Sequence, residues 1–176
     1  LNLEKSYRLT DLALTEIVSC LSKSLQALFL YNCCNVSAAG INHLFAGCRQ
    51  LHTIAFSFQF GVDFGLAHNL TTLITCTDNL DGSTWNVLQQ NCQNLQSLYL
   101  VFFLVDRLSF SWNPDTTYES HTVRAVCALP RLRTLSLSSS TAKSALARVL
   151  SARRPDLRVA IIPRTEHWYN FFELPI

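Results

Sequence analysis

The chain contains 176 residues, of which 49% are hydrophobic and only 15% are charged, whereas about 25% of the residues in typical soluble domains are charged. Its formal net charge of +2 is too small to indicate a nucleic acid or an acidic membrane as a partner. No apolar run reaches the roughly 18–20 residues of a membrane-spanning helix, so the composition indicates a protein that buries much of its apolar surface in its own core or against a partner.

The first predicted unit covers the start of the chain. Leu1-Asn2-Leu3 has the pattern of a strand end, and a helix follows that Thr10 or Asp11 would cap. The predicted inner face of this helix consists of Leu12, Ile17 and Leu21. Because an array of repeats that began here would expose an unpaired core, we expect further repeats before Leu1.

The second unit is the clearest. Leu25, Leu28 and Leu30 are followed by Cys33 in the order L-x-x-L-x-L-x-x-C, which is the signature of a leucine-rich repeat strand. Ser37 is the predicted cap of a helix whose apolar residues follow i, i+3, i+4, i+7 spacing: Ile41, Leu44, Phe45 and Cys48. One unit is therefore a strand followed by a helix.

The strand pattern recurs later in the chain. It opens again at Leu51, Leu95, Leu132 and Leu157. Leu51 follows Leu25 by 26 residues, inside the roughly 20–29 residue period of leucine-rich repeats. The pattern predicts an α/β leucine-rich repeat solenoid, or horseshoe, with parallel strands on the concave face and helices on the convex face. Residues 1–162 would form about six to seven units.

Two stretches depart from the regular period. Leu95 follows Leu51 by 44 residues, so 51–94 is either a compressed repeat over 51–69 followed by a second over 70–94, or one repeat with a long insertion. In the first interpretation a helix begins near Ser83 and ends at Cys92. Another insertion, near 103–118, would emerge as a loop on one face, often the binding face. Its aromatic residues either contact a partner or fold back on the array: Phe110, Trp112 and Tyr118.

The outward residues of the strands are the main candidate binding site, because neighbouring strands would display them as ladders on the concave face. The predicted partner-binding residues on this face are Phe29, Tyr31, Ser57, Ile74, Tyr99, Val101, Ser136 and Ser138. The loosest copy of the pattern, after Leu157, would add Ile161. Aromatic residues supply large contact area at modest entropic cost, although single exposed aromatics need no function.

The tail at 163–176 follows the last strand. Its aromatic residues are suited to covering the open end of an array, and a partner-binding tail is the alternative. The late basic residues are interpreted as a solvated face of the last units, with a binding patch as the alternative: Arg131, Arg133, Lys143, Arg148, Arg153, Arg154, Arg158 and Arg164.

The seven cysteines form no C-x-x-C pair, so the sequence indicates neither a disulfide framework nor a zinc site. Most are expected as small buried residues at helix ends (Cys20, Cys48, Cys92, Cys127) or at the step after a strand (Cys33, Cys34). Reduced thiols indicate a cytoplasmic or nuclear protein. With no phosphate-binding, zinc-protease or nucleophile-elbow motif, we expect no catalytic residue, metal site or cofactor.

The stretch Leu25–Leu51 resembles the cysteine-containing leucine-rich repeats found chiefly in F-box and leucine-rich repeat proteins, and Leu88–Leu98 repeats its helix-to-strand half. In that family the F-box binds a cullin-based ubiquitin ligase through an adaptor, and the repeats hold the substrate. The resemblance implies the substrate-recognition part of such a receptor, with a protein substrate on the array and an F-box that this chain does not show. The alternative is a cytosolic scaffold or sensor module unrelated to ubiquitination.

Overall fold

The computed structural model describes residues 1–57, 61–76, 82–101, 117–138 and 141–162. The strands in these ranges are β1 (Ala27–Leu30), β2 (Thr53–Phe56), β3 (Thr72–Cys76), β4 (Ser97–Val101), β5 (Thr134–Ser138) and β6 (Arg158–Ile162). The helices are α1 (Asp11–Leu21), α2 (Ala38–Gly47), α3 (Gly82–Asn91), α4 (Thr117–Ala128) and α5 (Thr141–Arg153), and a 3₁₀ turn at Phe64–Leu66 separates β2 from β3.

The strands form one parallel sheet in which their spatial order is their chain order, β1 to β6. This confirms the predicted α/β class and the parallel strands. Because β2 and β3 are separate neighbouring strands, the compressed repeat is the correct interpretation of 51–94 and the long insertion is wrong. The chain start extends the sheet, since Asn2 pairs with Phe29 in parallel, and Leu3 N–H donates to Phe29 O at 2.9 Å.

A repeated hydrogen-bond pattern joins each strand to the one before it. The carbonyl of Gln26 accepts from the N–H groups of His52 and Thr53 at 3.0 and 3.1 Å, and the carbonyl of His52 accepts from those of Thr71 and Thr72 at 2.9 Å. The same two-donor arrangement returns at the starts of β4 and β5. Because the carbonyl before one strand accepts from the same two N–H groups at the start of the next strand, the pairing register is the same in each of these units.

The core lies between the sheet and the helices. One row of paired strand residues runs through it, in which the side chains of β1 to β5 have 0% exposure: Leu28, Ile54, Leu73, Leu98 and Leu135. Strand residues two positions later, such as Leu30 and Leu100, belong to the same core. The regular spacing of leucines in the sequence is thus the spacing of the inward side chains.

Two sequence assignments at the ends of the sheet were wrong. Leu12 is 78% exposed, whereas the other two predicted residues, Ile17 and Leu21, do pack against the core. Together with Leu14 and Val18 they follow i, i+3, i+4, i+7 spacing. In β6, Ile161 pairs with the inward residue Leu137, so the outward residues there are Ala160 and Ile162. Four consecutive apolar residues in β6 left the alternation ambiguous.

Helices α1 and α2 approach closely along one side of α2. A Cβ atom at Gly40 would lie 2.3 Å from Asp11 Oδ1, and one at Gly47 would lie 2.3 Å from Val18 Cγ1. Both distances are far below an ordinary carbon contact of about 3.5–4.0 Å. The two glycines therefore permit this separation of the helices.

The same two helices share a polar link. Ser37, the predicted cap of α2, accepts a hydrogen bond from Ala39 N–H at 3.1 Å, as expected of an N-cap. Its hydroxyl donates to Asp11 Oδ2 at 2.5 Å, and its N–H donates to Asp11 Oδ1 at 2.8 Å. A carboxylate from the first unit thus orients the cap of the second.

Arg154 contradicts the interpretation of the basic residues as a solvated face. Its side chain is only 13% exposed, and its guanidinium donates to the carbonyls of Leu129 at 3.1 Å and Leu132 at 3.0 Å. Weaker contacts at 3.4 Å reach two carbonyls at the end of α4, those of Val126 and Cys127. The exposed members of the basic group are Arg131, Arg133, Arg148, Arg153 and Arg158.

The cysteines whose side chains the structure describes differ in burial, and Cys127, which was expected to be buried, is only partly buried. Cys33, Cys48 and Cys92 are buried as expected, and burial raises the pKa of each of these thiols. The expectation of burial was wrong for Cys20 and Cys34, which are exposed. In the described ranges, no helix combines the length and the apolar character needed to cross a bilayer.

Candidate functional site: the outer face of the sheet

The side chains that alternate with the core residues point away from the helices and form what we call the outer face. The pairing register arranges them in parallel rows. The middle row contains Phe29, Ala55, Ile74, Tyr99, Ser136 and Ala160. The first row, two residues earlier, contains Ala27, Thr53, Thr72, Ser97, Thr134 and Arg158. Tyr31 and Ser57 directly follow the paired residues of β1 and β2.

The structure places four of the predicted contact residues in the middle row, Phe29, Ile74, Tyr99 and Ser136, and two more, Tyr31 and Ser57, directly after the paired residues of β1 and β2. These six residues differ in exposure. Phe29 and Tyr31 are only 8% and 4% exposed, and Ser136 is 4% exposed. Ser57, Ile74 and Tyr99 are half-buried. The accessible part of the predicted site therefore lies around β3 and β4 rather than at the aromatic residues of β1.

The burial of the β1 aromatics is separate from the main core. Phe29, Tyr31 and Ala55 are buried, yet none of them belongs to the cluster between the sheet and the helices. Ala55 is 2% exposed and is paired with Phe29 in the register. The outer face thus has a crowded apolar end at β1 and β2, next to the more open region at β3 and β4.

Tyr99 is at the centre of the open region. It is flanked in the middle row by Ile74 of β3 and Ser136 of β5. Partial burial raises the pKa of its phenol, so the hydroxyl remains a neutral hydrogen-bond donor and acceptor at physiological pH. Its ring can pack against an apolar group while its hydroxyl binds a polar one.

The first row carries a ladder of hydroxyl groups that the sequence analysis missed. Thr53, Thr72, Ser97 and Thr134 are paired in succession across β2 to β5. Thr53 Oγ1 lies 3.2 Å from Nδ1 of His52. The signal is present in the sequence, because the residue before the second leucine or isoleucine of the strand is Ser or Thr in four consecutive units. The outer face therefore combines an apolar row with a hydroxyl row.

Several predicted site residues cannot be placed on this face. Phe110 and Trp112, with the rest of the proposed insertion up to 116, lie outside the described residues, and so does the tail at 163–176. Val101 and Ser138 belong to β4 and β5, but their side chains are outside the described part. Tyr118, which was predicted in the insertion loop, is in the first turn of α4.

The outer face combines apolar side chains with hydroxyl groups and few charges. In the described part of the chain, no three His, Cys, Asp or Glu side chains gather in a way that could hold a metal ion. The middle row contains no charged side chain, and the first row contains one, Arg158, at the edge of the sheet. Apolar side chains and hydroxyl groups on neighbouring strands suit contacts with another polypeptide.

Comparison with known proteins adds no family assignment: no family model matches the chain, and no curated protein matches it. The arrangement of the residues themselves is therefore the basis for any functional conclusion.

Proposed function

We propose that the chain is a protein-binding array of leucine-rich repeats, and that it forms the substrate-recognition part of an F-box-type receptor of a cullin-based ubiquitin ligase in the cytoplasm or nucleus. The observation that carries the binding part is the register of the outer face, where one row of side chains continues through six neighbouring strands. An extended row of this kind matches the footprint of a polypeptide better than that of a small ligand.

Strand and helix spacing support a curved, horseshoe-like array. Neighbouring strands are about 4.8 Å apart, whereas packed helices need about 8–10 Å between their axes. Because the helices α2 to α5 connect consecutive strands together with one 3₁₀ turn, the helix side must be longer than the strand side. The sheet would then curve with the outer face on the concave side, which also accounts for the crowding of Phe29 and Ala55.

The link to ubiquitin chemistry depends on the resemblance of the repeats. Cys48 and Cys92 end their helices three residues before the next strand-opening leucine, and both are buried, at 2% and 0% exposure. The resemblance to the cysteine-containing subclass includes both of these positions. A cytosolic scaffold or sensor module with the same repeats is the alternative function, and it would bind a partner on the same face.

Affinity purification of the full-length protein from cells, followed by mass spectrometry, tests both parts. Recovery of a cullin and its adaptor at near-stoichiometric level is the expected result, and their absence from a folded, soluble bait would contradict the receptor proposal and favour the scaffold.

A variant series then tests the outer face. Ile74→Ala combined with Tyr99→Ala should release the repeat-bound partner while the cullin and adaptor remain bound. Leu12→Ala, on the 78% exposed Leu12 of α1, is the matched control and should release neither. Retention of the partner by the double variant would show that the outer face does not bind it.

A further inference from the structure

The helix side contains a notch at the compressed unit. In each other connection between consecutive strands a helix of 10–13 residues covers the sheet, but between β2 and β3 the three-residue 3₁₀ turn Phe64–Leu66 takes its place. Beside this turn and the end of α2 lies a cleft of about 510 Å³. Its volume is in the range of about 300–1,000 Å³ that is common for ligand sites.

The walls of the notch are fixed by direct contacts. Asn42 of α2 donates to Gly61 O at 2.9 Å and accepts from Asp63 N–H at 2.7 Å. At the other end, Asn69 Nδ2 donates to Arg49 O at 2.8 Å. The ring centroids of Phe45 and Phe64 are 6.2 Å apart between these two links. The notch is therefore formed before any ligand arrives, which lowers the entropic cost of binding.

The notch combines an apolar floor with a guanidinium group, that of Arg49, on its rim. Phe45, Leu51 and Ala67 line its buried part, and Leu66 at its edge is 40% exposed. The rim includes the exposed side chains of Arg49 and His68, and among the residues that the structure describes no Asp or Glu lines the cleft. Nor does any carboxylate of the described residues form an ion pair with Arg49.

We propose that this notch binds a short acidic segment of a partner protein, which places an apolar side chain against Leu66 and a carboxylate beside Arg49. The exposed apolar side chain would lose its contact with water, and the unpaired guanidinium would gain the partner for which its planar donors are suited. The site is on the helix side, opposite the outer face, so it is independent of the partner proposed there.

Titration of the ¹⁵N-labelled chain with two blocked pentapeptides tests the proposal. The acidic peptide is Glu-Glu-Leu-Glu-Glu and its charge-reversed control is Lys-Lys-Leu-Lys-Lys. The acidic peptide should shift the backbone amide signals of Arg49, Leu66 and His68 and bind about tenfold more tightly than the basic one at low salt. Equal affinity, or shifts confined to other parts of the chain, would overturn the proposal.

Two charge-reversal variants sharpen the test. Arg49→Glu should invert the preference, so that the basic peptide binds more tightly. Arg148→Glu makes the same change in net charge at an exposed position on α5 and should leave the preference for the acidic peptide intact. An Arg148→Glu effect as large as that of Arg49→Glu would reveal general electrostatic attraction instead of a site.

A third variant tests the apolar contact and the identity of the occupant. Leu66→Ser should weaken the acidic peptide by about fivefold, because it removes an apolar contact of roughly 1 kcal/mol. If the notch signals shift with protein concentration alone, the occupant is a second copy of the chain and the acidic-segment proposal is wrong.

Discussion

The close approach of α1 and α2 gives the sharpest test of the packing. Gly47→Ala places a Cβ atom 2.3 Å from Val18 Cγ1, with two further contacts at 3.3 and 3.4 Å to the same side chain. Because Val18 is branched at Cβ, it cannot rotate both methyl groups away from α2. The added methyl group must therefore move one helix relative to the other.

Two opposing effects determine how much Gly47→Ala changes the free energy of unfolding. Replacing a helical glycine by alanine favours the helix by up to about 1 kcal/mol, whereas overpacking a close contact costs about 1–3 kcal/mol. The steric effect is larger, so we expect Gly47→Ala to lower the free energy of unfolding by about 1–2 kcal/mol. Adding Val18→Ala removes the clash, and the double variant should return to within about 1 kcal/mol of the original chain.

Urea denaturation followed by far-UV circular dichroism measures these differences. The control cycle pairs Val18→Ala with Gly40→Ala, whose Cβ would meet Asp11 and Leu14 rather than Val18, and its two effects should be additive. If Gly47→Ala stabilises the chain by about 1 kcal/mol, which is the difference in helix propensity between alanine and glycine, then the space between the helices accommodates a methyl group. That result would refute the packing argument.

Four further results are expected. Arg154→Ala should lower the free energy of unfolding by about 2–3 kcal/mol. Arg154→Lys should lower it by nearly as much, because a single ammonium group cannot reach the carbonyls of α4 and the carboxylate of Asp156 together. Urea denaturation measures both losses, and an unchanged midpoint would contradict the expectation. The hydrogen bond from Arg154 lowers the pKa of Asp156 to about 2 from a usual 3.8, so stability should fall as the pH drops from about 4 to 2, and Asp156→Asn should flatten that dependence. Burial raises the pKa of Cys92 to about 12, so stability should also fall as the pH rises above about 8.5, where the thiol of the unfolded chain ionises. At pH 8, iodoacetamide should alkylate the exposed Cys20 but spare Cys92 until urea is added, as peptide mass spectrometry would show.

The strands were predictable because inward side chains recur every second residue within a strand and the pattern recurs in every unit. Leu28 and Leu98 are in equivalent positions of β1 and β4 and are equally buried, at 0% exposure. Because equivalent positions in neighbouring strands are equally buried, each of them requires an apolar residue. The strand pattern is therefore repeated several times in the sequence. The sequence left two interpretations of 51–94 open, and the pairing of β3 with β2 decides between them.

The missed features depend on residues in other units. The carbonyls that Arg154 contacts lie 22 to 28 residues earlier in the chain, and nothing in the local sequence around 154 identifies them. The burial of Phe29 and Tyr31 likewise depends on what lies beside β1, not on their own strand. Leu12 and Leu14 lie in the same turn of α1 but on different faces, so either could have been the inward residue. Only the packing of α1 against α2 decides between them.

The short connection between β2 and β3 affects the helix side of the sheet but not its outer face. From Thr53 to Thr72 the chain uses only 19 residues, yet β2 and β3 keep the register of the other strands. Because strand spacing stays near 4.8 Å while the back element shrinks from a helix about 10 Å wide to a single turn, the missing volume falls entirely on the helix side. The outer face therefore continues across β2 and β3, and the notch opens behind them. The side chains along each row set the surface chemistry of the outer face, whereas the notch depends on the length of the chain between Phe56 and Thr72.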